Sequence, residues 1–364
     1  MRRTRLTLAA TVAALSILAA ACGGDAAEEP AGTGTTGGAA ATDAGAETGT
    51  ETAGTETAGT ETAGTETAGT GGDYRITLIP GVTGDEFYVS MECGAREAAE
   101  ELGVELDVQG ADTFDPTAQT PVLEAVLADP PDAILIAPTD TQALQAPIQG
   151  AVDAGVVVVL VDTTLDDPSI AASAIASDNV EGGRMAAEAL AELIGEEGPV
   201  LVINVNPGIS TTDQRQQGFE GGIEAYENIT YLGTEFSNNE PAQAASIVDA
   251  TLAAEPELAG IFATNLFSAE GAATGIRNAG EAGADISVVG FDAGPAQVDQ
   301  LEEGLVQALI VQKPLEIGRQ GVEQAVAALN GEPVEAEIST DFVTATQENL
   351  DDEEIAPFLY RDAC

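Results

Sequence analysis

The stretch that decides the fold is "RITLIPGVTGDEFYVSMECGAREAAEELGVEL", running from Arg75 to Leu106. Its first residues, 75–80, form an apolar run of strand length, and a second such run lies at 104–108. Between them, 87–102 places Met91, Ala95, Ala98 and Leu102 on one helical face. A strand, a helix and a returning strand make a unit of a parallel sheet. The loop before the helix ends in Asp85, Glu86, Phe87 and Tyr88. In an open α/β sheet, that handover from strand to helix is where ligands bind.

The pattern continues to the end of the chain. Further strands are expected at 133–137, 156–161, 170–176, 200–205, 229–235, 259–263, 286–291 and 306–311. Several are apolar throughout, as strands covered on both faces should be. Helices are expected at about 117–128, 141–154, 181–195, 212–227, 241–254, 268–279, 295–303 and 314–329. Strict alternation implies parallel sheets with right-handed crossovers, and ten strands divide more naturally into two sheets than one. The expected class is therefore α/β with two lobes.

The first 72 residues read differently. Residues 1–22 carry Arg2, Arg3 and Arg5, then a short apolar run, then small residues before Cys22. This is a secretory signal. The sequence "LAAACGGD" resembles a bacterial lipobox, in which Cys22 becomes the lipidated N-terminus, although Leu18 lies one position further from Cys22 than is usual. The alternative is a soluble secreted chain cut nearby. Residues 23–72, with "TETAG" repeated from Thr50 to Gly69, contain almost no side chain able to build a core. They read as a disordered tether with a coil reach of roughly 40 Å.

Acids outnumber bases 62 to 11, and the formal net charge is −51. Nucleic acid is excluded as a partner, because phosphate binding needs clustered Lys and Arg. Acids spread over the whole body with a single Lys point to a chain soluble in concentrated salt, from a halophilic or salt-tolerant source. The chain has no histidine, which removes His-based acid–base and nucleophilic catalysis and the commonest metal ligand. No catalytic residue, cofactor or metal site is assigned. A hydrolase using two carboxylates remains the formal enzymatic alternative. Beyond Cys22 there are two cysteines. In an exported chain a disulfide joining Cys364 to Cys93 is expected, the other reading of Cys93 being a small buried helix residue.

If both sheets are doubly wound, the informative residues lie just past the strand ends. They are Asp85, Phe87 and Tyr88 after the first strand, and Asp162 and Thr163 after "VVVVLV". Arg215 follows the loop after "VLVINV", Asn265 follows "AGIFA", Asp292 follows "ISVVGF", and Gln312 follows "VQALIV". Carboxylates and amides pair with adjacent hydroxyls, a guanidinium donates two bonds in a fixed fork, and an aromatic face covers ring C–H groups. This set suits a small neutral sugar or polyol. Each residue also has a structural reading: Asp85 and Asp292 as helix caps, Asp162 as a turn residue, Asn265 as a loop staple, Phe87 and Tyr88 as core, Arg215 as a solvated ion-pair partner, Gln312 as a hinge residue. Glu86 is assigned to solvent, and "ASDNVEGG" (176–183) to a crossing that caps the next helix.

The segments "GDEFYVSMECGAREAAEELGVEL", "DAILIAPTD", "IASDNVEGG", "DQRQQGFEGGI", "LAGIFATN", "VVGFDAGP" and "VQALIVQKPLEIGRQGVEQAV" come in the order and spacing of a known family. Over about 73–348 the chain resembles periplasmic sugar-binding proteins of the ribose-binding type. The resemblance implies a type I periplasmic binding protein: two Rossmann-like lobes joined by a three-strand hinge, with ligand in the cleft. It implies lobes of 73–176 plus 313–341 and of 177–312 plus 342–348, with crossings near Ser177, Gln312 and Phe342 and a tail at 349–364. It also implies a monomeric, non-enzymatic solute-binding lipoprotein on the outer face of the cell membrane, delivering its load to the permease of an ABC importer. A ligand sensor for a membrane receptor or kinase is the alternative output. A repressor sharing the fold would need a basic helix-turn-helix where this chain has a signal and tether. Three departures leave the identity of the sugar open. Thr163 stands where the family has a gripping Arg, Leu266 where it has Asp, and Asn239 where an aromatic is expected.

Overall fold

The computed structural model describes residues 73–364, so the signal peptide, the tether and the lipidation of Cys22 lie outside the described residues. Strand β1 (Arg75–Ile79) hands over to α1 (Glu86–Leu102), and β2 (Glu105–Val108) returns beside β1 in parallel. The pattern repeats through α2 (Pro116–Leu127), β3 (Ala133–Ile136), α3 (Gln145–Asp153), β4 (Val157–Val161) and β5 (Ser173–Ser177). The chain then enters a second sheet through α4 (Asn179–Leu193), β6 (Glu197–Asn204), α5 (Ser210–Ile223), β7 (Asn228–Phe236) and α6 (Pro241–Ala254). It continues through β8 (Gly260–Ala263), α7 (Leu266–Ala279), β9 (Ser287–Phe291), α8 (Pro295–Glu302) and β10 (Ala308–Val311). Helix α9 (Pro314–Asn330) and β11 (Glu337–Thr340) go back to the first sheet, and β12 (Val343–Ala345) ends in the second.

The sheet orders are β11-β5-β4-β3-β1-β2 and β12-β10-β9-β8-β6-β7. The two-lobed α/β expectation holds. All pairings are parallel except β10 with β12, which is antiparallel. Strands β11 and β12 escape sequence reading because "EIST" and "VTA" are short edge strands with half-exposed side chains and no apolar run. The run at 170–176 shifts to Ser173–Ser177, because Asp167 accepts a hydrogen bond from Ser169 N and starts a single 3-10 turn at Pro168–Ile170.

Alternation within each strand splits each core into two. In the first lobe Leu78, Leu135 and Val159 pack under α1 and α9, while Ile134, Ile136 and Leu160 pack under α2 and α3. In the second, Val202, Phe262 and Phe291 face α4 and α5, and Leu201, Ile203 and Ile261 face α6 and α7. Helices α4 and α5 touch backbone to backbone at Gly183, where a Cβ would stand 2.0 Å from the Arg215 carbonyl oxygen. Gly183→Ala is expected to push α5 outward and to destabilise the protein by about 1–3 kcal/mol. A denaturant midpoint unchanged from wild type would contradict this packing.

Candidate functional site

Most candidate side chains stand just past the end of a strand or in the first turn of the helix after it. Asp85 ends the loop after β1 and caps α1, its Oδ1 accepting from Phe87 N at 2.9 Å. That cap fixes the first turn, which places Phe87 and Tyr88 against one another edge to face, with centroids 5.2 Å apart. Asp162, just past β4, has a left-handed backbone (φ 64°) and accepts from Tyr88 Oη at 2.7 Å. Asp292, just past β9, is also left-handed (φ 77°). Such a backbone is uncommon for any residue but glycine, and Asp and Asn tolerate it best.

Asp292 does not cap α8. Its Oδ2 accepts from Leu266 N at 2.9 Å, so it serves the start of α7, while its Oδ1 accepts from Gln312 Nε2 at 2.7 Å. Asn265 caps α7 through Ser268 N and donates to Asn239 Oδ1 at 2.7 Å. Arg215, on the second turn of α5, is buried rather than solvated. Its Nε donates to Asn179 Oδ1 at 2.9 Å, its Nη1 to the Thr264 carbonyl at 2.8 Å, and its guanidinium lies 3.8 Å over the Phe291 ring. For Asp85 and Asn265 the capping role and the cleft position therefore coexist in one side chain.

These residues meet in one cavity. Asp85, Phe87, Tyr88, Asp162, Arg215, Asn265, Asp292 and Gln312 all line it. Thr163 does not: the chain turns at Asp162, and Thr163 is buried outside the lining with its hydroxyl unpaired. Phe114, Val205, Ile209, Thr211, Thr212 and Asn239 complete the wall. Phe114 could have been found by applying the strand-end rule to β2, and Ile209–Thr212 by reading the loop after β6 residue by residue. Asn179 was legible only as part of a helix cap, yet it orients Arg215. Glu86 is half-buried, and its Oε2 is sealed from solvent without a partner, contrary to the solvent-facing expectation.

The electrostatics are lopsided: three carboxylates face a single guanidinium. Burial, opposed by Arg215 and by the Tyr88 hydrogen bond, pushes the Asp162 carboxyl up to about 6. Burial, reinforced by Asp292, raises Asp85 well above the usual carboxylate range. Burial and the charge of Asp162 push the Tyr88 phenol up, so it remains a neutral donor. On α7, burial and the facing Glu86 raise Glu270 to about 7 from an ordinary 4.5. A carboxyl raised on folding stabilises most below its unfolded pKa, and loses that contribution as pH rises through the folded value. The ligand-free protein should therefore lose stability between about pH 5 and 7, with Asp162 adding to the effect near 6. Glu270→Gln should flatten this slope and gain about 1 kcal/mol at pH 8, discounted for partial exposure. Identical thermal midpoints for wild type and variant at pH 8 would contradict it.

Carboxylates that accept from hydroxyls, a guanidinium that donates in a fork and aromatic faces that cover C–H groups are a chemistry able to hold a small polar molecule. The family model described as "Periplasmic binding protein domain" matches residues 76–333. The ribose import binding protein of Salmonella typhimurium is 30% identical over 266 residues, covering 73% of this chain and 88% of that one. Its Bacillus subtilis counterpart is 28% identical over 275 residues, covering 76% and 88%. Among solved structures, an ABC transporter solute-binding protein from Agrobacterium vitis with bound alpha-D-tagatopyranose is 46% identical, with a TM-score of 0.77, over 79% of this chain and 99% of that one. A second A. vitis solute-binding protein, with bound D-fucose, is 29% identical with a TM-score of 0.75, over 79% and 100%.

Proposed function

This chain belongs to the periplasmic binding protein family, of the ribose-type sugar-binding kind, and on that premise we propose that it captures a monosaccharide for an ABC importer. The observation that carries the reading is the convergence on one cavity of eight side chains from strand ends and from the helices that follow them, drawn from both sheets. Asp85, Asp162 and Asp292 accept from sugar hydroxyls, Arg215 donates to a ring or hydroxyl oxygen, and Asn265 and Gln312 do either. Phe87 covers one C–H face of the ring, and Val205 and Ile209 give the cavity an apolar margin. A hexopyranose of the tagatose type is the leading ligand, since the 46% identical relative was solved with one.

Ligand would bridge the two lobes and favour their closed arrangement over the open one by its differential affinity. The closed protein would then dock on the membrane permease. Lipidation at Cys22 and the tether of 23–72 would hold a monomer at the outer face of the membrane. The carboxylates serve binding, and no reaction is assigned to them. The acidic surface adapts the protein to a saline medium, so its thermal midpoint should rise by several degrees as salt increases from 0.1 to 2 M. A midpoint independent of salt would overturn that adaptation. The binding reading is tested by thermal shift against pentoses, hexoses, polyols and disaccharides. A rise confined to monosaccharides supports it, and a rise only with another class overturns it.

A further inference from the structure

The C-terminal residues 358–364 are more than a trailing end. Residues before them are fixed to the second lobe: Gln347 Nε2 donates to the Glu302 carbonyl, and Leu350 and Ile355 are buried. Tyr360 N donates to the Ala293 carbonyl at 3.0 Å, and its Oη donates to Asp292 Oδ1 at 2.8 Å. The next residue binds the opposite lobe, with Arg361 N donating to Ser90 Oγ of α1 at 2.8 Å. Three residues later Cys364 forms a disulfide with Cys93, also on α1. Consecutive backbone amides thus bond to opposite lobes, and the second attachment is covalently secured.

Tyr360 lies behind the cavity wall and touches a lining residue from each lobe. Its ring meets Phe87 of the first lobe at 5.8 Å between centroids, while its hydroxyl holds Asp292 of the second. Asp292 in turn belongs to a hydrogen-bonded chain. Gln312 donates to it, Ser177 Oγ donates to Gln312 Oε1 at 2.7 Å, and Ser177 Oγ meets Thr340 Oγ1 at 3.2 Å. Ser177, Gln312 and Thr340 mark the three places where the chain passes between the sheets. We propose that the C-terminal segment is a fourth, disulfide-anchored crossing between the lobes, and that Tyr360 is a positioning residue for the sugar-binding carboxylate of Asp292.

The reason lies in acceptor counting. A carboxylate offers about four acceptor positions. In Asp292 three are taken by Leu266 N, Gln312 Nε2 and Tyr360 Oη. Both donors on Oδ1 belong to interlobe segments, and the free acceptor position is on Oδ2, the oxygen facing α7. Tyr360 therefore fixes which oxygen a ligand meets. Because Tyr360 and Arg361 are adjacent, separating Ala293 from Ser90 by more than about 1 Å breaks one of these bonds. The ligand's bond to Asp292 and the geometry of the hinge are then one coupled system.

This inference rests on the proposed sugar-binding function, and the test separates the two. Tyr360→Phe keeps the ring against Phe87 and removes only the hydroxyl. Cys364→Ser removes the covalent anchor. D-Tagatose affinity is measured by calorimetry on the full chain for wild type and both variants. Hydrogen exchange of the Leu266 amide, which donates to Asp292, is measured without sugar. Tyr360→Phe is expected to bind about tenfold more weakly and to exchange Leu266 about tenfold faster, the loss of one hydrogen bond to a charged group. Cys364→Ser should shift both in the same direction by a smaller factor. Wild-type binding with unchanged affinity and unchanged Leu266 exchange in Tyr360→Phe overturns the positioning role alone. If wild type binds neither D-tagatose nor any other monosaccharide, the sugar reading falls, and unchanged Leu266 exchange would then overturn the positioning of Asp292 as well.

Discussion

Arg215→Ala is expected to abolish sugar binding and, at the same time, to lower the thermal midpoint of the ligand-free protein by about 10 °C. The two losses have different causes. Binding fails because the cavity loses its one guanidinium, which the structure aims with Asn179 and the Thr264 carbonyl. Stability falls because Arg215 is the countercharge that holds Asp162 down against burial, and because it stacks on Phe291 in the core of the second lobe. Removing one partner from a buried charged cluster costs about 3–5 kcal/mol, a large share of an ordinary protein's stability. For a body of this size each kcal/mol shifts the midpoint by about 2–4 °C. Arg215→Lys should recover part of the stability but little of the affinity, because a point charge cannot serve both fixed partners and a ligand. Calorimetry and thermal denaturation of both variants check this. Wild-type affinity in Arg215→Ala would remove it from the site.

Asp292→Asn should fold and bind about 10- to 100-fold more weakly. A charge-assisted hydrogen bond contributes about 1.5–3 kcal/mol, and the neutral amide also disturbs the chain through Gln312. Asp292→Ala should bind no sugar and should also lose stability. It leaves Leu266 N and Gln312 Nε2 without their acceptor and places alanine at φ 77°. The two variants are separated by thermal denaturation, and equal midpoints would contradict the capping role. Equal affinity of Asp292→Asn and wild type would contradict the binding role.

Much of the fold is legible in the sequence. Fully apolar runs such as "AILI" and "VVVLV" read as strands covered on both faces, and the helical periods between them leave a doubly wound sheet as the economical arrangement. The candidate residues follow from one rule, that ligands meet strand C-termini, and eight of the nine named residues line one cavity. What escaped has physical reasons. Thr163 is sequence-adjacent to Asp162, but a left-handed backbone turn separates their surroundings. Strands β11 and β12 are stabilised by their partners and not by their own composition. Asn179 acts through Arg215, a contact 36 positions away in sequence. Tyr360 is further still, 68 positions from the carboxylate it holds. No local pattern reports a pairing at that distance, and nothing in "PFLYRDAC" marks Tyr360 as a partner of Asp292.

We propose above all that the cavity between the lobes is a monosaccharide site. Isothermal titration of the purified protein in high salt against D-tagatose, D-ribose, D-arabinose and D-fucose tests it most directly. The predicted result is saturable binding of at least one of these at one sugar per chain, absent in Arg215→Ala. A folded protein that gives no binding heat with any of them and no thermal shift with any monosaccharide, or that binds unchanged without Arg215, would contradict it.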